Sequence, residues 1–93
     1  MKKYVSEMYA KALAVVLDYY GLSEPVMFHS NRTDAIHART ALIVPLSSRL
    51  SDSDLAECTS MKRNSVCGVR NKYRENCAPW DIRDCIAAVR SQL

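Results

Sequence analysis

The sequence lacks a segment that could span or cross a membrane. Its longest apolar run, residues 41–46, is far shorter than the roughly 20 residues that a membrane helix needs. No apolar segment of secretory length follows the first residues, MKKY. We therefore expect a cytoplasmic protein without a membrane partner, and 93 residues, 48% of them hydrophobic, are enough for a single folded domain over 1–93.

Spacings typical of metal sites and catalytic centres are also missing. The four cysteines lie eight or more residues apart, so there is no C-x-x-C pair. His29 and His37 have no cysteine or second histidine at ligand spacing, and no nucleophile is paired with a base. We expect reduced thiols, no metal, no cofactor, no small-molecule substrate and no enzymatic activity.

No stretch alternates polar and apolar residues as a strand does, so the fold is predicted to be all-α, with five or six helices. Residues 3–20 are predicted to form the first helix, and Gly21 ends it. Apolar residues recur through this segment at intervals of three and four: Val5, Met8, Tyr9, Ala12, Leu13, Val16, Leu17 and Tyr20.

Proline residues mark the next boundaries. After a connection with a helical turn near 24–28, a helix is predicted to open at Thr33 or Asp34. Pro45 should kink or stop it. Its expected core residues are Ile36, Leu42 and Ile43.

A closing helix is predicted over about 79–91, with Pro79 at its first position. Trp80 is expected to anchor this helix on the core. The other core residues expected on this helix are Ile82, Ile86 and Val89.

Residues 51–74 favour two short helices with a brief turn between them. Ser51 followed by Asp54 resembles a capping box, which predicts a helix over 52–58. A second helix is predicted over 63–74, with Val66, Val69 and Tyr73 on one side. Two short helices at this separation are typical of a helix-turn-helix.

Positive charge is concentrated near the same segment. Residues 61–76 carry five basic side chains and one acidic, and residues 31–50 carry three basic and one acidic, whereas 51–60 carry three acids and no base. A basic helix can simply keep a domain soluble. The clustering, the turn length and the second basic group favour DNA binding instead.

In a helix-turn-helix the first residues of the second helix reach the base edges. Arg pairs with guanine, Asn with adenine, and Ser with bases or phosphate. Farther along the helix, Arg70 and Lys72 are better placed for phosphate. The predicted base-reading residues are Lys62, Arg63, Asn64 and Ser65.

Four stretches resemble, in order, the C-terminal DNA-binding domain of the bacterial replication initiator DnaA, which has a Trp-repressor-like helix-turn-helix. They are VVLDYYGLS (15–23), SNRTDAIHARTALI (30–43), LSDSDLAECTSMKRNSVCGVRNKY (50–73) and WDIRDCIAAVRSQL (80–93). The resemblance implies that Arg32 enters the minor groove, and that Arg39 and Thr40 touch backbone or bases.

The chain departs from this family at several positions. Thr59-Ser60 replaces the double glycine of the turn, and Lys62-Arg63 replaces an Asp-His pair. We therefore expect binding to double-stranded DNA, but not to the standard initiator site.

With no P-loop in the sequence, the expected role is a small regulator of replication or transcription, of the kind a phage or mobile element encodes. A protein partner or a homodimer stays open. The competing hypothesis is a protein-interaction module that keeps the initiator-like fold but has lost DNA binding.

Overall fold

The computed structural model describes residues 2–93, and all regular secondary structure within them is helical. The all-α prediction is confirmed. Every helix among these residues is too short or too polar to cross a lipid bilayer. The helices are α1 (Lys3–Tyr20), α2 (Glu24–His29), α3 (Thr33–Leu46), α4 (Asp52–Thr59), α5 (Arg63–Lys72) and α6 (Trp80–Gln92), with a 3-10 turn at Glu75–Cys77.

Helix α3 is the centre of the fold and packs against α1, α2, α5 and α6. Ala35, Ala38 and Ala41 are fully buried along it, and their small side chains let the neighbouring helices approach closely. Pro45 lies in the final turn, and the helix ends one residue later at Leu46. The helix therefore continues through Pro45 and ends close to it, rather than stopping before the proline as predicted.

The expectation that Ile36 faces the core is wrong, because its side chain is 45% exposed. The core side of α3 is formed instead by the three alanines and by the larger residues near its C-terminal end, which include Leu42, Ile43 and Leu46. Ile36 faces a gap beside α5 that no other helix fills.

The apolar rows predicted on α1 and α6 form the two sides of the core. On α1, Val5, Ala12 and Val16 are buried, and the other predicted positions are partly buried against them. Gly21 has a φ of 64° and ends α1 in the left-handed conformation, as predicted. The buried row of α6 is Ile82, Cys85, Ile86 and Val89.

Trp80 does not anchor α6 on the core, since it is 71% exposed. Two residues along a helix correspond to about 200° of rotation, so Trp80 points away from the row that begins at Ile82. Pro79 precedes the helix, and Trp80 is its first residue. The prediction had Pro79 as the first helical residue, one position earlier.

A polar cluster fixes α1 and α3 against the start of α6. The Tyr20 hydroxyl donates to Asp81 Oδ2 at 2.9 Å, and His37 Nδ1 lies 2.9 Å from the same oxygen. Burial by itself would raise the pKa of Asp81, but the hydrogen bonds from His37 and Tyr20 lower it below its usual value. The cluster therefore holds a charged carboxylate between three helices.

Candidate nucleic-acid interface

Helices α4 and α5 are joined by three residues, 60–62, and pack against each other. The Ser51 hydroxyl accepts a hydrogen bond from the Asp54 backbone N–H at 3.1 Å and caps α4. This confirms the predicted start of α4. Leu55 and Val66 are fully buried and attach the two helices to the core.

The turn between α4 and α5 forms without glycine. Ser60 adopts the left-handed conformation, with a φ of 61°. The buried Thr59 hydroxyl donates to the Leu55 carbonyl at 2.7 Å and accepts from the Met61 N–H at 3.2 Å. These bonds hold the turn at the position where the resembled family has two glycines.

Helix α5 presents its first turn to solvent. Val66 is buried and Val69 and Tyr73 are partly buried, as predicted. The helix ends at Lys72 rather than at the predicted residue 74. No side chain of residues 2–93 caps its N-terminus, and the four predicted base-reading residues are all exposed: Lys62, Arg63, Asn64 and Ser65.

A groove of about 650 Å³ lies beside α5, between this helix, α3 and the segment that leads into α6. We call it the α3–α5 groove. Four of the predicted DNA-binding residues line it: Thr40, Asn64, Ser65 and Lys72. The structure thus brings Thr40 together with three residues that lie 24 or more positions away in the sequence, which supports their assignment to one surface.

The other lining residues are mainly apolar. They are Ile36, Gly68, Val69, Tyr73, Arg74, Cys77, Ala78, Pro79 and Ile82. Sequence reasoning did not place Ile36 here, because helical periodicity assigned it to the core. It also gave no place at this surface to Cys77, Ala78, Pro79 and Ile82.

Arg32 lies at the N-cap of α3, one turn before Ile36 and two before Thr40. Residues four apart share one side of a helix, so Arg32 continues the Ile36–Thr40 row toward the end of the groove. Its guanidinium is 2.8 Å from Asp34 Oδ2, and its side chain is 64% exposed. An ion pair this exposed is weak and can exchange for another anion.

Arg39 takes a structural position instead of pointing freely outward. Its guanidinium donates to the carbonyls of Phe28 at 3.1 Å and Ser30 at 3.2 Å, and the residue is half-buried. It thereby fixes the connection between α2 and α3. A direct contact from Arg39 to DNA, as predicted, would have to replace these two hydrogen bonds.

Arg70 is also engaged within the protein. Its guanidinium donates to Asp52 Oδ2 at 2.9 Å, which links α5 to the start of α4. A second contact, at 3.4 Å, goes to the Cys67 sulfur. Asp52 therefore faces Arg70 in addition to lying at the N-terminus of α4, and a phosphate contact from Arg70 would have to compete with this pair.

Neither a known family nor a known structure assigns this surface. No protein-family model, curated protein or solved structure matches the chain. The resemblance to the initiator domain therefore remains a hypothesis drawn from the four stretches of sequence.

Metal ligands and thiols are two further kinds of reactive group in the chain. Within residues 2–93, no three His, Cys, Asp or Glu side chains converge as metal ligands. The described cysteines form no disulfide. Burial raises the pKa of the Cys85 thiol to about 12, so this thiol is protonated and unreactive at neutral pH.

Proposed function

We propose that the chain binds double-stranded DNA with a sequence preference, through α4 and α5, as a small regulator of replication or transcription. The observation that carries the proposal is the exposed first turn of α5. It holds two basic side chains and two amide or hydroxyl side chains in succession, on a helix that Val66 fixes to the core. These residue types are suited to base edges in the major groove.

The electrostatics of α5 agree with this role. The uncapped N-terminus leaves backbone N–H groups available to an anion such as a phosphate. Lys62 and Arg63 form no ion pair with any other of residues 2–93, so their charge is available to a ligand. Lys72 extends the positive surface along the groove, and Arg32 would join it by exchanging Asp34 for a phosphate.

The test is a selection from random DNA duplexes with the purified chain. We expect a recurring sequence motif and binding that weakens with salt, because each neutralised phosphate contributes a slope of about −0.9 in log K against log salt concentration. Lys72→Ala should reduce that slope by about one unit and leave the motif unchanged. If no duplex binds in a salt-sensitive way, the proposal fails.

A further inference from the structure

The α3–α5 groove has a surface that DNA alone does not explain. Exposed or half-exposed apolar groups from three elements line it: Ile36 from α3, Val69 from α5, and Ala78 and Pro79 from the segment before α6. A DNA backbone presents sugars and phosphates, and contact with such an apolar surface would stabilise it little. Apolar surface of this kind, with a polar rim, is typical of a binding groove for protein.

The charges at the groove are of one sign. Lys72 and Arg74 line it, and no Asp or Glu among residues 2–93 does so. Arg32, one helical turn before Ile36, is paired with Asp34 and is not among the lining residues. The complementary ligand therefore combines apolar side chains with negative charge.

The length of the groove limits the size of that ligand. Along α5 it runs from Asn64 past Gly68 to Lys72, which is about 12 Å at 1.5 Å per residue. Two turns of a helix have this length, and apolar residues at positions i, i+4 and i+7 would occupy it. Gly68 leaves the middle open, since a Cβ built there meets no atom within 4 Å.

We propose that the α3–α5 groove binds a short amphipathic helix, flanked by acidic residues, from a partner protein. Asn64, Ser65 and Lys72 belong both to this groove and to the DNA surface proposed above. Partner and DNA would then exclude each other, and the partner would act as a switch on DNA binding. Binding of the partner helix to the groove does not depend on the proposed function, whereas its competition with DNA rests on it.

The test is a selection of displayed random 12-residue peptides on the purified chain in the absence of DNA. We expect enriched peptides to combine apolar residues at helical spacing with an excess of Asp and Glu. The best peptide, synthesised and labelled, should bind in a fluorescence anisotropy titration. If nothing is enriched, or the enriched peptides lack acidic residues, the proposal is wrong.

Two pairs of variants locate the binding. Gly68→Leu fills the groove and should weaken the peptide at least tenfold, whereas Gly68→Ala, at the same position, leaves room for it. Ile36→Asp should weaken it similarly, whereas Tyr4→Asp changes a side chain of comparable exposure, 53% against 45%, outside the groove. Circular dichroism melting checks that all four variants fold.

The outcomes separate the two proposals. A peptide that binds Gly68→Leu as well as the unchanged protein overturns the docking site. If no peptide is enriched and a groove variant loses duplex binding, the groove belongs to the DNA surface, and the docking proposal is again wrong. Arg63→Ala, which lies outside the groove, should lose duplex affinity and keep the peptide. If the peptide binds but no duplex does, the docking site stands and the DNA proposal fails.

Discussion

At the scale of single residues, two tyrosines on α1 differ in how their hydroxyl groups are satisfied. The Tyr9 hydroxyl is buried without a hydrogen-bond partner among residues 2–93, and burial raises its pKa far above the usual value. The Tyr20 hydroxyl instead donates to Asp81. A buried unpaired polar group opposes folding, whereas a bond to a carboxylate favours it.

We therefore predict opposite effects for the same chemical change. Tyr9→Phe should raise the free energy of unfolding by about 1 kcal/mol, and Tyr20→Phe should lower it by about 1.5 kcal/mol. Urea denaturation of the two variants measures both values. A loss of stability in Tyr9→Phe would show that its hydroxyl has a partner in solution.

The same cluster predicts a pH dependence of stability. Because the folded-state pKa of Asp81 is lowered, its carboxylate contributes stability above the unfolded-state pKa, about 3.9. That contribution is lost as pH falls through the folded-state value.

Asp81→Asn should therefore be less stable than the unchanged protein near neutral pH, and the gap between the two should narrow as the pH falls below about 4. Urea denaturation at several pH values gives the comparison. Tyr19 also bonds a carboxylate, Asp84, at an exposed site, so Asp84→Asn is a matched control with a smaller expected effect. If Asp81→Asn differs from the unchanged protein by the same free energy of unfolding at every pH, the lowered pKa of Asp81 is contradicted.

At the scale of helices and turns, the strained position is Ser60. A non-glycine residue in the left-handed region costs about 1–2 kcal/mol, and glycine there costs about 0.5–1 kcal/mol in chain entropy. Ser60→Gly should raise the free energy of unfolding by roughly 0.5–1 kcal/mol. Ser60→Ala keeps the strain and should give no gain; equal stability of the two variants would contradict this reading.

The boundaries of the helices follow from local chemistry, which is why the sequence predicts them well. Ser51 with Asp54 starts α4, Gly21 ends α1, and Pro45 lies in the last turn of α3. Each signal acts through the backbone within a few residues.

The positions of exposed side chains depend on packing between helices, and there prediction from the sequence is weaker. Periodicity placed Ile36 in the core because the gap beside α5 is a tertiary feature. Similarly, the carbonyls that Arg39 binds and the carboxylate that Arg70 binds are 9 to 18 residues distant in the chain. Residue type could not show that these two guanidinium groups are already engaged.

At the scale of the whole molecule, a net charge of +3 is too small to bind DNA without local concentration. The structure supplies that concentration where the first turn of α5 meets the α3–α5 groove. Arg90 provides a contrast, since it is exposed in the last turn of α6 and does not line the groove. A basic side chain there adds to the net charge but not to the proposed interface.

The most direct test compares Arg63→Ala and Arg90→Ala on one selected duplex and on a scrambled duplex of the same composition. We predict that Arg63→Ala loses about 1–3 kcal/mol of binding free energy on the selected duplex. On the scrambled duplex it should lose only the smaller contribution of one positive charge. Arg90→Ala should bind both duplexes almost as the unchanged protein does. If the two variants weaken binding equally on both duplexes, the chain attracts DNA by charge alone, and α5 does not read its sequence.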